Sequence, residues 1–159
     1  MNQCDCAVCK RIEQIKRGEN PYFVKELETG YVVIGDYQRF QGYTLFICKQ
    51  HAEELHFLEP GYKIKFLQEM SLVAEAVYNA FHPAKLNYEL LGAGNAVHMH
   101  WHIFPRRQGD TPETGPVWKV DKTEMYNERY IPTEIQLSEM KKLLNQELDC
   151  IISSDKGGA

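Results

Sequence analysis

The stretch that decides the fold is residues 98–104, which read His-Met-His-Trp-His-Ile-Phe. Side chains alternate between the two faces of a β-strand, so this order predicts a strand over residues 97–104 with a histidine face and an apolar face. Threonine, lysine or glutamate would serve as well on a merely solvated face, whereas histidine suits proton transfer and ligation near neutral pH. The first face holds His98, His100, His102 and Phe104, and the second, a candidate core face, holds Met99, Trp101 and Ile103.

The spacing of these histidines argues against one metal ion bound by all three. Residues two apart on a strand are roughly 6–7 Å apart and residues four apart roughly 13 Å, whereas a Zn–N bond is about 2.0–2.1 Å. We therefore expect His98 to serve one site and the other two histidines another. Imidazole can also attack phosphorus, which makes His100 a candidate nucleophile and His102 a candidate donor to a phosphate oxygen.

A second candidate site lies near the N-terminus. Two residues separate Cys6 from Cys9, a spacing that lets two thiolates bind one zinc ion, and Cys4 is a third possible ligand. The chain has five cysteines, an odd number that favours a reducing compartment over a disulfide framework. Two local ligands do not complete a tetrahedral site, so the spacing alone leaves open whether these are metal ligands or ordinary thiols.

The remaining pattern predicts an α+β domain with an antiparallel sheet, because several strands neighbour each other in sequence. Strand patterns cover residues 22–27, 31–34, 43–49 and 86–91, and the first two read as a hairpin. Helical spacing of apolar residues covers 7–17, the segment between Pro60 and Pro83, and the region around 137–144. We expect a single domain over residues 1–152 and a disordered tail over 153–159.

Composition narrows the class of protein. Of the 159 residues, 43% are hydrophobic, which is typical of a chain that forms a core, and the formal charge of −4 excludes a broadly cationic nucleic-acid binder. No apolar run is long enough for a membrane span, and the first ten residues lack the apolar core of a signal peptide. The expectation is a cytoplasmic protein with neither a membrane nor a nucleic acid as its partner.

The motifs together resemble the histidine-triad (HIT) family, whose signature alternates three histidines with apolar residues. Residues 42–51, GYTLFICKQH, are similar to the family's Gly-His-x-Leu-φ-φ-Pro-Lys-x-His strand, where φ is apolar. Residues 6–10, CAVCK, resemble the opening of many bacterial members, and residues 115–118, GPVW, resemble a segment that follows the triad in relatives. The similarity covers roughly residues 6–118.

The resemblance implies a fold and an activity. The fold is α+β, with a five-stranded antiparallel sheet, two main helices and a homodimer whose sheets join edge to edge. The activity is that of a nucleotidyl hydrolase or transferase, which attacks the α-phosphate of a dinucleoside polyphosphate or a nucleoside phosphoramidate. By motif position, His100 forms a nucleotidyl-histidine intermediate, His102 contacts phosphate and His98 supports the cluster.

Further residues are implied by motif position alone. The resemblance places Asn87 near the α-phosphate, Asn95 close to a position that contacts phosphate, and Asp36 near the residue that reaches the ribose. In relatives with the CxxC opening, a structural zinc takes both cysteines, the histidine that ends the Lys-x-His segment and the first histidine of the triad. The corresponding ligands here are Cys6, Cys9, His51 and His98, and four ligands suit a closed structural site. The phosphoryl chemistry itself would need no metal.

Three departures from the family pattern stand out. Tyr43 occupies the position where many relatives have a histidine that helps to order the triad, Cys48 replaces a proline, and the loop from Gly94 to His98 is one residue shorter. Two other hypotheses stay open from the sequence. One is a non-catalytic nucleotide-binding module on the same scaffold, and the other is a zinc hydrolase in which His100 and His102 hold a catalytic metal.

Overall fold

The computed structural model describes residues 5–156, the last of them by its backbone alone. Its strands are β1 (Phe23–Glu26), β2 (Gly30–Ile34), β3 (Thr44–Cys48), β4 (Lys85–Leu90) and β5 (His100–Arg106). They form one five-stranded sheet in the order β1-β2-β3-β5-β4, and every neighbouring pair is antiparallel. The α+β class and the antiparallel sheet are therefore confirmed, and β1 and β4 form the two edges.

The α-helices are α1 (Ala7–Lys16), α2 (Pro60–Phe81), the short α3 (Lys122–Met125) and α4 (Glu134–Lys156). Three-residue 3₁₀ helices lie at Leu55–Phe57, Val117–Lys119 and Glu128–Tyr130. Helix α2 begins at a proline, and this loses no hydrogen bond because backbone N–H groups in the first turn have no partner within the helix. The Glu59 side chain accepts a hydrogen bond from the Tyr62 N–H. Within the described part of the chain, no helix is long and apolar enough to cross a membrane.

The two faces of the sheet are covered differently. Helices α2 and α4 pack against one face and bury a core that includes Phe46, Phe66, Val77, Ile103 and Leu144. Helix α1 covers only part of the other face, where Val8, Ile12 and Ile15 contact residues of β2 and β3. This incomplete cover leaves the face of β5 that carries His100 and His102 open to a cleft.

The structure corrects the start of the histidine strand. Strand β5 begins at His100, and only one backbone group of Met99 bonds to β3: its carbonyl accepts from the Cys48 N–H, whereas its N–H donates to the Ala52 carbonyl beyond the end of β3. His98 therefore lies before the strand. The alternation persists nonetheless, since Met99 and Ile103 are both in the core between the sheet and α2.

The C-terminal end also differs from the sequence pattern. Helix α4 continues to Lys156, so residues 153–156, which the pattern places in a tail, are helical. Its inward face carries Met140, Leu144 and Leu148, which are buried against α2 and the sheet. Residues 157–159 lie outside the described part of the chain.

Candidate active site and metal centre

His100 is buried at the floor of the cleft, and the backbone fixes its protonation. Its Nδ1 lies 2.7 Å from the carbonyl oxygen of His98. A carbonyl only accepts hydrogen bonds, so Nδ1 carries the proton and Nε2 of the neutral ring keeps a free lone pair. Burial lowers the pKa of His100, and the hydrogen bond to His98 only partly opposes that shift. The ring is therefore neutral at pH 7, with Nε2 available to a substrate.

The cleft has a volume of about 560 Å³ and is lined mostly by apolar side chains. Its floor is the sheet, where Ile47 of β3 lies opposite His100 and Leu45 lies opposite His102. One wall comes from α1, through Ala7, Val8 and Arg11. The other wall comes from residues 117–126 and consists of Val117, Trp118, Val120, Lys122, Met125 and Tyr126.

His102 lies beside His100, with ring centroids 4.6 Å apart. Its Nδ1 is 2.6 Å from the hydroxyl of Tyr43, whose ring stacks on Phe104 at a centroid distance of 4.3 Å. Burial is the main factor that lowers the pKa of His102 to about 4, and the charge of His100 adds to it, while a hydrogen bond with the Leu91 backbone opposes it. Burial also raises the pKa of Tyr43. Both groups are thus uncharged at neutral pH.

The first histidine of the run faces a different group of residues. His98 is 1% exposed, and its Nε2 lies 2.7 Å from the Cys48 carbonyl, so Nε2 donates and Nδ1 is left with a lone pair. That Nδ1 is 3.4 Å from Cys9 Sγ, which is 3.1 Å from His51 Nδ1. Together with Cys6, these residues offer four ligand atoms that all lie within 4.8 Å of one another.

The chemistry of this donor set fits zinc. Two thiol sulfurs and two imidazole nitrogens match a closed tetrahedral site, and the Cys48 carbonyl fixes the His98 tautomer as second-shell partners of zinc ligands usually do. A bound zinc would link α1, which carries Cys9, to the segments that carry His51 and His98. The alternative ligand Cys4 lies outside the described residues.

A comparison with known families agrees with this arrangement. The model of the HIT domain matches residues 20–109, more than half of the chain. The chain belongs to the HIT family. No curated protein sequence matches this HIT protein significantly.

Solved structures share the fold. A hypothetical histidine triad nucleotide-binding protein from Sulfolobus tokodaii superposes with a TM-score of 0.68 at 22% identity, over 92% of this chain and 93% of its own. A zinc-bound HIT family protein from Mycobacterium smegmatis gives 0.63 at 22% identity, over 94% and 96%. Diadenosine triphosphate hydrolase from Plasmodium falciparum gives 0.55 at 13% identity, over 81% and 77%. At these identities, the likeness shows the fold.

The cleft of this HIT protein also contains acidic residues. Asp36 lines it and forms an ion pair with Arg11, in which Oδ2 accepts from Nη2 at 2.5 Å, while Oδ1 is buried without a recorded hydrogen bond within residues 5–156. Glu89 lies opposite His102 on β4, and burial raises its pKa. The sequence analysis missed Arg11 and Glu89. Arg11 lies four positions after Ala7 and three after Val8, so all three share one face of α1. This helical spacing could have predicted that Arg11 lines the cleft.

The two asparagines implied by the resemblance are not among the residues that line the cleft. Asn87 lies opposite Phe104, and its side-chain oxygen accepts a hydrogen bond from Arg106 at 2.6 Å. Arg106 also binds Asp110, so it is committed within the protein. Asn95 is exposed, and its backbone carbonyl accepts from the Ala7 N–H at the start of α1.

A shared catalytic metal at His100 and His102 has little support in this geometry. Both Nδ1 atoms are engaged, one by the His98 carbonyl and the other by the Tyr43 hydroxyl. A catalytic zinc usually has three protein ligands, and among the described residues no third His, Cys, Asp or Glu atom gathers with these two rings. The four candidate metal ligands therefore form a group that includes neither His100 nor His102.

Proposed function

We propose that this HIT protein is a nucleotidyl hydrolase or transferase that attacks the α-phosphate of a dinucleoside polyphosphate or related nucleotide through His100. The observation that carries the proposal is the hydrogen bond from His100 Nδ1 to the His98 carbonyl, because it leaves Nε2 unprotonated in a cleft. The fold that the chain shares with a diadenosine triphosphate hydrolase supports the substrate class.

The reaction proceeds in two displacements. In the first, the His100 Nε2 lone pair forms a bond to the α-phosphorus, and the bond to the leaving group breaks with its electron pair. In the second, water attacks the same phosphorus, the N–P bond breaks, and its electrons return to Nε2. A nucleoside monophosphate and one proton leave the site. The proton stays on Nδ1 throughout and is donated to the His98 carbonyl, whose oxygen stabilises the positive charge of the intermediate ring.

The other cleft residues hold the substrate. An N–H of His102 donates to a phosphate oxygen, where negative charge accumulates in the transition state. The free Oδ1 of Asp36 accepts from a ribose hydroxyl, and Arg11 keeps that carboxylate in place through its ion pair. The apolar wall formed by residues 117–126 packs against a nucleobase, and Lys122 in that wall attracts phosphate. Asn87 and Asn95 have no assigned role here.

We propose that the metal centre is structural zinc, bound by Cys6, Cys9, His51 and His98. The close approach of the four ligand atoms supports it, and so does the shared fold with a zinc-bound HIT protein. A bound zinc would cross-link α1 to the segments that carry His51 and His98, and no reaction step involves it.

We also propose a homodimer in the cytoplasm. Strand β4 is a sheet edge whose outer side has no partner strand within the described residues, and Tyr88 on it is 46% exposed, both of which suit edge-to-edge pairing. The cysteines within residues 5–156 form no disulfide with one another, which suits a reducing compartment. Light scattering coupled to gel filtration tests the dimer.

The decisive experiment traps the intermediate. The protein is exposed briefly to diadenosine triphosphate, denatured in base to preserve the N–P bond, and measured as an intact mass and then as peptides. We expect an added adenylyl group on the peptide that contains His100 in the wild type and in His56→Gln, an exposed histidine outside the cleft. We expect no adduct in His100→Gln.

Other outcomes would contradict the proposal in distinct ways. An adduct on another residue would overturn the nucleophile. Turnover of adenosine phosphoramidate alone would favour a phosphoramidate hydrolase. Nucleotide binding without turnover of either substrate would favour a non-catalytic nucleotide-binding module.

A further inference from the structure

We infer that Tyr43 is a positioning residue that sets the tautomer of His102. Its hydroxyl donates to Nδ1 and thereby places the ring proton on Nε2, which is the nitrogen that remains for a substrate oxygen. The effect on catalysis rests on the proposed function, whereas the tautomer itself does not.

The hydrogen-bond inventory decides which group donates. The Tyr43 hydroxyl and His102 Nδ1 are 2.6 Å apart, and this is the one partner recorded for that hydroxyl within residues 5–156. If Nδ1 were the donor, the hydroxyl proton would need another acceptor in a buried environment. A buried donor without an acceptor is unfavourable, so the favoured arrangement has the hydroxyl donating.

The position of the ring places its other nitrogen at the cleft. His102 lines the cleft beside His100, with the two ring centroids 4.6 Å apart. A neutral imidazole has one N–H. Since the Tyr43 hydroxyl already occupies Nδ1, that N–H belongs to Nε2.

The surroundings hold the Tyr43 ring in one place. Its ring is nearly parallel to that of Phe104, with an interplanar angle of 4°. Gly35 packs so closely that an added Cβ would lie 2.1 Å from a carbon of the Tyr43 ring. The Tyr43 carbonyl accepts from the Gln38 side chain at 3.0 Å, and the Tyr43 N–H donates to the Phe40 carbonyl at 2.9 Å. The hydroxyl is therefore a fixed donor.

The consequence is a pair of adjacent imidazoles with opposite tautomers. His100 carries its proton on Nδ1 and offers a lone pair, whereas His102 carries its proton on Nε2 and offers an N–H. A phosphate under attack needs both groups, one at phosphorus and one at an oxygen. Without the hydroxyl, His102 divides between two tautomers, and only one of them can donate from Nε2.

The test compares Tyr43→Phe with Tyr62→Phe. Tyr62 is a matched control because its hydroxyl donates to the Thr29 carbonyl at 2.8 Å and the residue does not line the cleft. Each variant therefore loses one hydrogen-bonded hydroxyl. Nitrogen-15 NMR of histidine-labelled protein without substrate reports the tautomer of His102. In the wild type and Tyr62→Phe, we expect a protonated Nε2 and an unprotonated Nδ1. In Tyr43→Phe, we expect signals averaged between the two tautomers.

Kinetics with diadenosine triphosphate form the second readout. We expect kcat of Tyr43→Phe to fall up to about 10-fold with little change in KM, the effect of one lost hydrogen bond on the orientation and tautomer of His102, and that of Tyr62→Phe to stay near the wild-type value. A wild-type His102 with its proton on Nδ1 would overturn the inference, and this measurement uses the wild-type protein alone, so it does not depend on whether a variant folds. Unaltered His102 signals in Tyr43→Phe would also overturn it. Intact tautomer signals in a protein without turnover would refute only the proposed function.

Discussion

His98 and His100 lie two residues apart and are both buried, yet each gives the opposite ring nitrogen to the backbone. His98 donates from Nε2 to the Cys48 carbonyl and keeps Nδ1 for the cysteine cluster. His100 donates from Nδ1 to the His98 carbonyl and keeps Nε2 for the cleft. The difference teaches that the position of one carbonyl decides which ring nitrogen keeps its lone pair, and hence whether that lone pair faces the cysteines or the cleft.

His98 also connects the two regions. Its side chain belongs to the cluster of Cys6, Cys9 and His51, and its backbone carbonyl accepts the hydrogen bond from His100. If the cluster binds zinc as proposed, loss of the metal would remove one contact of the His98 side chain and so disturb the carbonyl that orients His100. The two regions should therefore depend on each other in one direction only: the cleft needs the cluster, but the cluster does not need the cleft.

The largest effect comes from His100→Gln. We expect kcat/KM with diadenosine triphosphate to fall about 10⁴-fold or more, because the variant lacks the nucleophile. Zinc content by mass spectrometry and the midpoint of thermal unfolding should match those of the wild type and of His56→Gln. Loss of zinc in His100→Gln would break the comparison, since the two regions would then depend on each other in both directions.

Cys9→Ser tests the other region. We expect zinc content to fall and the free energy of unfolding to drop by about 3 kcal/mol or more, because zinc binding to a folded site stabilises the fold. Activity should fall along with zinc content. The matched control is Cys150→Ser on the exposed side of α4, which should change neither quantity. Full stability of Cys9→Ser in the presence of a chelator would refute a structural metal centre.

The low pKa of His102 predicts a stability loss in acid. Its pKa is about 4 when folded and about 6.5 when unfolded, so the unfolded chain binds the proton first as pH falls. Its contribution is therefore complete above pH 6.5 and is lost between pH 6.5 and 4, by at most about 3 kcal/mol. Denaturant unfolding of the wild type and His102→Asn over this range isolates the effect.

Subtraction of the two curves removes acid-induced loss of zinc, which both proteins share. Tyr43, His100 and Glu89 face His102. Their own protonation affects the stability of both proteins and therefore cancels, except for the part that depends on the charge of His102. A difference that stays constant with pH would mean that His102 takes up its proton as easily in the folded protein as in the unfolded chain.

The smallest effect concerns the position of Tyr43. In Gly35→Ala, the new Cβ would meet the Tyr43 ring at 2.1 Å, so we expect a loss of about 1–3 kcal/mol and a lower kcat. Gly61→Ala, in the first turn of α2, is the control and should leave stability equal or slightly higher. Differential scanning calorimetry and kinetics measure both variants. Wild-type behaviour of Gly35→Ala would show that the ring can shift without consequence.

Much of the fold could be predicted because its signals are local. The helix that starts at Pro60 and the hairpin around Gly30 follow from spacing and turn residues within short windows. The start of β5 was predicted too early, since the alternation of residues 97–104 continues where strand pairing has not begun. Alternation reports which face a side chain takes, but the ladder also needs a partner strand, and β3 ends at Cys48, so the Met99 N–H donates to Ala52 instead.

The candidate site shows the same division. The motif identified the three histidines and the four candidate zinc ligands, and the structure brings the latter together. The contact between Tyr43 and His102 joins residues 59 positions apart and has no local signal. Asn87 was placed by its distance from His98 along the chain. The register of β4 instead puts Glu89 opposite His102. Asn87 lies two residues away on β4, opposite Phe104, and its side chain bonds to Arg106.

The origin of the cleft walls has a consequence for how such proteins diversify. The floor with His100 and His102 lies within residues 20–109, the part that matches the HIT domain, whereas the walls come from α1 and from residues 117–126, on either side of that part. The histidine floor and these two walls are thus encoded in separate stretches of the gene. Evolution, or an engineer, can exchange the flanking stretches and reshape both walls while the floor, together with Asp36 and Glu89, is inherited intact.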